Sequence, residues 1–230
     1  MPELPEVETV RIALSSQLLK RKICKVIKKV QKLRFVIPKN IKNIENSILE
    51  KIKRRGKYLI FYFNTGYSLL FHLGMTGVFR VSKNIDYKNH DHLIIKFTTL
   101  NLTYNDVRRF GFVKVYFNNE LKKSSHLLKL GKEPFSKRFD TNYIYNLVSD
   151  KEQVIKNFLM DQRNIAGLGN IYCSEILFDA GISPLKNTNT LKLLECKKLV
   201  HSTRKVLKRA IKMGGTSIKN FEDPAGSLGY

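Results

Sequence analysis

The sequence predicts an α+β protein with an N-terminal helix, a strand-rich first half and a helical second half. Apolar residues recur at helical spacing between Pro5 and Leu19, which is typical of an amphipathic helix. From about residue 22 to residue 117, short apolar segments alternate with Gly, Asn and Asp turns, a pattern that indicates strands. Helical periodicity begins after Leu130–Pro134. We therefore expect a β-sandwich or flattened barrel over residues 1–131 and a helical domain over residues 132–230.

Each predicted element follows from its own pattern. The first helix has four apolar residues on one face, namely Val7, Val10, Leu14 and Leu18. The segment Tyr58–Phe63 is apolar on both faces, as in a strand buried between two layers. Further strands are predicted over Ser68–Leu73, Leu93–Phe97 and Val113–Phe117. Helices are predicted over Thr141–Ser149, Glu152–Asp161, Asn170–Ala180 and Thr188–Met213.

The charge of the chain indicates a polyanionic partner. Lys and Arg number 42 against 19 Asp and Glu, which gives a formal net charge of +23. A surplus of this size attracts polyanions, and nucleic acid is the first candidate. A compositional bias toward Lys, Asn and Ile explains part of the charge, but not the position of basic residues beside candidate catalytic ones.

Cysteine usage and hydropathy exclude several classes of protein. Cys24, Cys173 and Cys196 lie far apart and form no C-x-x-C pair, so neither a disulfide framework nor a cysteine zinc site is indicated. No apolar run approaches the ~20 residues of a membrane helix, and the N-terminus lacks a signal-peptide pattern. We expect a cytoplasmic protein with no membrane association.

The N-terminus carries a candidate nucleophile. Removal of Met1 leaves Pro2 as a free secondary amine, followed closely by Glu3 and Glu6. An α-amino group has a pKa of about 7.7–8.0, so it is far more often a neutral nucleophile at pH 7 than lysine is. Its attack on a carbonyl-level carbon gives a cationic iminium ion, an effective electron sink. The alternative is that Pro-Glu simply opens a helix.

A glycine-containing turn joins two of the predicted helices. Gly167 and Gly169 permit a tight turn and a close backbone approach. Amides at the start of the outgoing helix are then expected to point outward, which suits a phosphate, and Asn170 adds a side-chain donor. A plain helix hairpin is the alternative, because this pattern alone is not specific.

Basic and apolar residues in loops complete a candidate nucleic-acid site. Lys57 follows two arginines and precedes a buried strand, a good position for a phosphate clamp, although a solvated strand end is the usual alternative. Met75 and Phe110 lie in glycine-flanked loops, and Arg108 is close to Phe110. Such residues either pack in the core or enter a base stack as wedges.

The histidines carry less information. His90 and His92 flank Asp91 ahead of a strand, but no third metal ligand is nearby, so packing is favoured over metal binding. His72 precedes the Met75 loop and is assigned either to phosphate contact or to packing at the rim.

Taken together, these segments resemble the formamidopyrimidine-DNA glycosylase family of base-excision repair enzymes. The matching motifs run in order along almost the whole chain: Pro2–Thr9, Arg55–Lys57, His72–Gly77, Asp106–Gly111, Leu159–Gln162, Gly167–Tyr172 and Gly214–Thr216. Leu4 is typical of the branch acting on oxidised purines, since endonuclease VIII-like members usually carry Gly there. The resemblance implies a two-layer β-sandwich with an N-terminal helix, a helical domain with a helix–two-turns–helix motif, and damaged double-stranded DNA in the cleft between them.

The resemblance also implies an activity. Such enzymes flip 8-oxoguanine or a formamidopyrimidine out of the duplex, release it, and cleave the abasic site by β,δ-elimination through a Schiff base on Pro2. Glu3 is implied to move protons at the sugar, and Glu6 to support the N-terminus. The remaining implied roles are phosphate contacts by Lys57 and Asn170, and filling of the vacated space by Met75, Arg108 and Phe110. A loop over the flipped base is implied to begin at Gly214, Gly215 and Thr216.

The C-terminus departs from the family pattern. Family members commonly continue into a four-cysteine zinc finger, whereas this sequence ends at Tyr230 without a cysteine pair. We therefore expect no bound metal or other cofactor, and a monomer. Two alternatives remain open: a DNA-binding protein with little or no catalysis, and an endonuclease VIII-like glycosylase for oxidised pyrimidines.

Overall fold

The computed structural model describes residues 1–215. The eight strands are β1 Ile23–Lys28, β2 Leu49–Arg55, β3 Tyr58–Phe63, β4 Tyr67–His72, β5 Gly77–Ser82, β6 Asp91–Phe97, β7 Asn101–Asp106 and β8 Phe112–Phe117. The α-helices are α1 Leu4–Leu18, α2 Asn118–Leu121, α3 Ser125–Leu128, α4 Thr141–Ser149, α5 Ile155–Met160, α6 Asn170–Ala180 and α7 Leu193–Lys212. Two short 3-10 helices cover Lys39–Ile44 and Thr188–Thr190.

The strands form a two-layer sandwich, so the predicted fold class is confirmed. Two separate four-stranded sheets have the orders β1-β6-β7-β5 and β2-β3-β4-β8, and their pairings are antiparallel. The four strands predicted individually coincide with β3, β4, β6 and β8 within two residues. The main apolar core lies between the sheets.

Strand β3 is apolar on both faces because each face contacts a different layer. Leu59 and Phe61 belong to the core between the sheets. Ile60 points the other way, into a small cluster with Leu70 and Leu121 that the short helices after β8 cover. The prediction of a strand buried between two layers is thereby confirmed.

Helix α1 packs in both halves of the molecule. Val7 and Leu14 belong to the sandwich core, whereas Leu4 packs in the core of the helical half. The Leu4 N–H also donates to the Gly167 carbonyl at 2.9 Å. The first turn of α1 is therefore attached to the helix–loop–helix segment, and the rest of α1 to the sandwich.

Two predicted helices are shorter than expected. The prediction Glu152–Asp161 is wrong at its start, since α5 covers Ile155–Met160. The prediction Thr188–Met213 is also wrong at its start, since α7 begins at Leu193. The cause is tertiary pairing of the two segments: Val154 bridges Asn187, and the Thr188 N–H donates to the Gln153 carbonyl at 2.9 Å.

A half-buried carboxylate connects the β2–β3 hairpin to the helical half. Glu133 accepts hydrogen bonds from Arg54 at 2.7 Å, from Arg55 at 3.0 Å and from the Gly56 N–H at 2.6 Å. Burial opposes ionisation of Glu133, but the adjacent Arg54 and these donors lower its pKa below the ordinary value. Within residues 1–215, no helix combines the length and apolarity needed to cross a membrane.

The contact between α1 and the Gly167 turn can be tested by substitution. Gly167 has φ +97° and a Cβ there would lie 2.8 Å from Leu4 side-chain atoms. We expect Gly167→Ala to reduce the free energy of unfolding by about 3 kcal/mol, from backbone strain and overlap together. Gly181 is the matched control, because it has φ +65° but open space around its Cβ position; Gly181→Ala is expected to cost about 1 kcal/mol. If urea unfolding shows that the two variants lose the same free energy of unfolding, the contact between Gly167 and Leu4 is not important for stability.

Candidate active site

The carboxylate of Glu3 is held by the start of helix α6. It accepts backbone hydrogen bonds from Gly169 at 2.6 Å, Ile171 at 3.0 Å and Tyr172 at 3.4 Å. Glu3 is 3% exposed. The expectation that these amides point outward to bind a phosphate is therefore wrong: a carboxylate of the chain itself occupies the favourable anion position at the helix N-terminus.

The ammonium group of Lys57 converges on the same place. Lys57 lies in the turn between β2 and β3 and is 7% exposed, so the alternative of a solvated strand end is wrong. A Cβ at Gly169 would overlap the Glu3 carboxyl group and lie 2.8 Å from Lys57 Nζ. Only glycine at this position leaves room for the two charged groups.

Burial and charge act in opposite directions on this pair. Burial raises the pKa of Glu3 above its ordinary value, although Lys57 and the three backbone N–H groups favour the charged form. Burial lowers the pKa of Lys57, although Glu3 favours its charged form. Both groups are thus moved toward the pH range in which a proton can be exchanged, as is typical of catalytic groups.

Glu6 lies one helical turn beyond Glu3 and is held from two sides. One oxygen accepts the Glu3 N–H at 2.9 Å, and the other accepts the Tyr172 hydroxyl at 2.6 Å. Pro2 is buried directly before this arrangement, and Met1 is 44% exposed. The structure therefore brings the predicted residues Pro2, Glu3, Glu6 and Lys57 together.

The predicted wedge residues lie at an open cavity. Met75 is 38% exposed and Phe110 is 44% exposed, so neither side chain packs in the core. The Arg108 guanidinium lies 4.6 Å from the centre of the Phe110 ring. The cavity has a volume of about 590 Å³ and is lined by Met1, Arg34, His72, Gly74, Met75, Arg108, Arg109 and Phe110.

The buried carboxylate of Asp106 fixes the two loops that carry these residues. It accepts hydrogen bonds from the Thr76 hydroxyl at 2.5 Å and the Gly111 N–H at 2.8 Å. The Tyr104 hydroxyl is a third donor, at 3.2 Å. The Thr76 hydroxyl in turn accepts the Arg108 N–H at 3.1 Å, so the Met75 loop and the Phe110 loop form one unit.

His72 faces this cavity as a neutral side chain. Its Nδ1 accepts the Gly74 N–H at 3.0 Å, and its ring stacks on Phe112 with centroids 5.5 Å apart. Burial, followed by the positive charges of Lys57 and Arg34, lowers its pKa to about 4. Since Nδ1 is an acceptor, Nε2 carries the proton and is the group available as a donor.

The other predicted residues occupy varied positions. His92 is buried and its Nε2 donates to the Asp106 carbonyl at 2.7 Å, which supports packing rather than metal binding. In the part of the chain that the structure describes, no three His, Cys, Asp or Glu residues come together as metal ligands. Asn170 is exposed at the start of α6. A Cβ at Gly215 would lie 3.1 Å from Glu6, whereas Thr216 lies outside the described residues.

Comparison with known proteins agrees with this geometry. Residues 1–113 match the formamidopyrimidine-DNA glycosylase N-terminal domain, and residues 130–222 match the formamidopyrimidine-DNA glycosylase H2TH domain. The chain is 39% identical over 232 residues to the formamidopyrimidine-DNA glycosylase of Psychromonas ingrahamii, with 100% of this chain and 85% of the relative covered. The chain belongs to the formamidopyrimidine-DNA glycosylase family.

Solved structures of the glycosylase family have the same fold. The Thermus thermophilus protein gives a TM-score of 0.88 at 32% identity, covering 99% of this chain and 84% of that one. The Lactococcus lactis protein in complex with abasic-site DNA gives a TM-score of 0.90 at 35% identity. The match covers 99% of this chain and 84% of the Lactococcus lactis chain.

Sequence reasoning missed three residues of the glycosylase site. In the sequence, Tyr172 and Asp106 are noted only as members of matching motifs, and Arg34 is given no role. The partners of Tyr172 and Asp106 lie on other elements of the fold, so no local pattern reveals their contacts. For Arg34 the sequence contains no signal, because it lies between β1 and β2 and reaches the cavity only through the fold.

The depressed pKa of His72 predicts a specific pH dependence of stability. An unfolded histidine has a pKa near 6.5, so between pH 6.5 and about 4 the unfolded state binds the extra proton. The contribution of His72 to stability is therefore complete above pH 6.5 and is lost as the pH falls toward 4. His72→Gln should lose less stability than the parent between pH 7 and pH 5 in urea unfolding. An NMR titration that gives His72 in the folded protein a pKa near 6.5 would contradict this prediction.

Proposed function

We propose that this chain excises oxidised purines from duplex DNA and cleaves the resulting abasic site through a Schiff base on Pro2. The observation that carries the proposal is the convergence of Glu3, Glu6 and Lys57 on the buried segment that begins at Pro2. Binding alone does not require a buried carboxylate with a raised pKa beside a potential amine. The names of the relatives, and neighbours solved with 8-oxoguanine, Fapy-dG and abasic-site DNA, support the same assignment.

The first chemical step uses the amine of Pro2 after removal of Met1. Its nitrogen forms a bond to C1′ of the damaged nucleotide, the bond from C1′ to the base breaks, and the proton that the nitrogen loses passes to the departing base. Glu3 then gives a proton to the sugar ring oxygen as the bond between that oxygen and C1′ breaks, which leaves a cationic iminium at C1′. The raised pKa of Glu3 supports this role, since it keeps a proton available nearer neutral pH.

The same iminium supports strand cleavage. It withdraws electrons and acidifies the hydrogens at C2′, so loss of one proton there expels the 3′ phosphate. A second elimination expels the 5′ phosphate, which completes β,δ-elimination. The electron sink is organic and is supplied by Pro2, so we propose that no metal or other cofactor takes part in the reaction.

The rest of the cavity is assigned to holding a flipped nucleotide. Met75 and Phe110 are exposed apolar side chains on loops fixed by Asp106, which suits wedges that replace a base in the stack. Arg108 is placed to hydrogen-bond the unpaired partner base. The neutral His72 and the exposed Asn170 contribute donors to phosphates.

The electrostatic character of the chain fits this task. With a formal net charge of +23, the protein attracts duplex DNA over a long range, and binding weakens with salt because counterions are released. Unstacking one base costs a few kcal/mol, which wedge and phosphate contacts are suited to offset. We place the activity on chromosomal DNA in the cytoplasm and assign it to a monomer.

The proposed chemistry is tested by substitution at its two central residues. Glu3→Gln removes the transferable proton, so base release should slow by about 100-fold or more. Pro2→Gly keeps an amine but weakens the iminium chemistry. The measurement is excision of 8-oxoguanine from a duplex, with borohydride trapping of the covalent adduct and mass spectrometry of the first peptide. Glu50→Gln, on the exposed side of β2, is the matched control and should react like the parent.

Three outcomes would overturn the proposal. Absence of an adduct at Pro2 with the processed parent chain would leave a DNA-binding protein without catalysis. Unchanged excision by Glu3→Gln would remove the role of that carboxylate. Trapping with a thymine glycol duplex but not with 8-oxoguanine would move the activity to oxidised pyrimidines.

The bracing of the wedge loops is tested by Asp106→Ala. The change leaves the Gly111 N–H and the Tyr104 hydroxyl without their buried acceptor, so the free energy of unfolding should fall by about 3 kcal/mol. Binding to duplex DNA with an abasic-site analogue should weaken as well. Asp91→Ala is the control, because Asp91 is also buried but pairs with Arg80 in the sandwich. Loss of stability in both variants with equal DNA affinity would contradict a specific role of Asp106.

A further inference from the structure

Tyr172 contacts both carboxylates of the N-terminal segment. Its backbone N–H points to Glu3 Oε2 at 3.4 Å, and its hydroxyl donates to Glu6 Oε1 at 2.6 Å. The side chain is 2% exposed. One residue of helix α6 is thus a direct link to the two acidic side chains that surround the amine.

The hydroxyl of Tyr172 acts on the N-terminus through Glu6. The second oxygen of that carboxylate accepts the N–H of Glu3 at 2.9 Å, and this N–H belongs to the peptide group that links Pro2 to Glu3. A hydrogen bond at each oxygen fixes the carboxylate plane, and the fixed carboxylate then fixes that peptide group. The chain of contacts runs from α6, through α1, to the residue that carries the amine.

The electrostatic setting keeps this hydroxyl a donor. Burial, and then the adjacent Glu6, raise the pKa of Tyr172 well above its ordinary value. The phenol therefore stays protonated at neutral pH. A buried hydrogen bond from a neutral donor to a carboxylate is among the stronger ones in proteins, and it cannot be replaced by water at a site this enclosed.

We propose that Tyr172 is a positioning residue for the N-terminal nucleophile: through Glu6 it orients the Pro2–Glu3 peptide, and thereby the amine, toward C1′. This inference rests on the proposed function and adds to it a residue that touches neither DNA nor the reacting atoms. The first turn of a helix near a chain terminus ordinarily frays. The contact with Tyr172 removes that freedom where a displacement of about 1 Å is enough to slow a reaction severely.

The test uses Tyr172→Phe, which removes one oxygen atom and keeps the ring in the core. We expect kcat for 8-oxoguanine excision, and the rate of borohydride trapping on a preformed abasic site, to fall by about 10- to 100-fold. KM, and the Kd for duplex DNA with an uncleavable abasic-site analogue, should stay within about twofold, because the DNA contacts are intact.

Tyr143→Phe is the matched control. The Tyr143 hydroxyl also makes a 2.6 Å hydrogen bond in the helical half, but its acceptor is the backbone carbonyl of Asn164 rather than a carboxylate of the N-terminal segment. The Tyr143 hydroxyl also accepts the Lys132 N–H at 3.3 Å, so this variant should lose stability but keep the trapping rate of the parent. If both variants lose trapping in proportion to their stability, the effect is structural and the inference is overturned.

A double-mutant cycle that combines Tyr172→Phe with Glu6→Gln distinguishes a positioning role of Tyr172 from a general loss of stability. If Tyr172 acts through Glu6, the two changes should be strongly non-additive in the trapping rate, since either one breaks the same chain of contacts. Additive losses would overturn the inference. The processed parent is assayed in parallel: a parent that forms no adduct refutes the proposed function, whereas a parent and a Tyr172→Phe variant that trap at equal rates refute only the role of Tyr172.

Discussion

The hydrogen bonds from the start of helix α6 to Glu3 determine how this molecule is arranged. The donors at Gly169 and Ile171 lie 166 and 168 residues away from Glu3 in the sequence. Their contacts bring the N-terminus onto the helix–loop–helix segment, where Gly169 leaves room for the carboxylate and for Lys57. The interaction acts together with the burial of Leu4 in the helical core and the hydrogen bond from Tyr172 to Glu6. All three contacts attach the first turn of α1 to the helical half.

The same interaction places Glu3 between two limits. A fully exposed glutamate would titrate near its ordinary pKa of about 4.3 and would rarely hold a proton at pH 7. A carboxylate that is surrounded by positive charges and hydrogen-bond donors would have a lowered pKa and would stay ionised at pH 7. Here burial favours the neutral form, while Lys57 and the helix amides favour the charged form, so either form is accessible. Buried charged pairs of this kind contribute little net stability, which agrees with the proton-transfer role that we propose for Glu3.

The sequence predicted the architecture well and the contacts of the site only in part. Local patterns were sufficient for α1, α4, α6 and several strands, because the buried apolar residues in each of them recur at the spacing of one helix or one strand. They failed at the start of α7, where pairing between residues 153–154 and 187–188 overrides helical propensity. They also failed for the amides of α6, since no spacing shows that Glu3 occupies them. Residue types in motifs predict Pro2 and Glu3 as site residues, whereas the contact of Tyr172 with Glu6 depends on a side-chain direction that only the fold defines.

The proposed nucleophile lies at a chain terminus, and terminal residues are usually the least ordered part of a domain. In this protein the N-terminal helix is part of both cores. Leu4 is buried with the helical half, while Val7 and Leu14 are buried with the sandwich. A movement of α1 with one half of the molecule would therefore disturb its packing in the other half. The loops of Met75 and Phe110 belong to the sandwich through Asp106, and Glu6 is held by the helical half through Tyr172. Helix α1 therefore connects the two parts of the molecule to which we assign the wedges and the support of the amine.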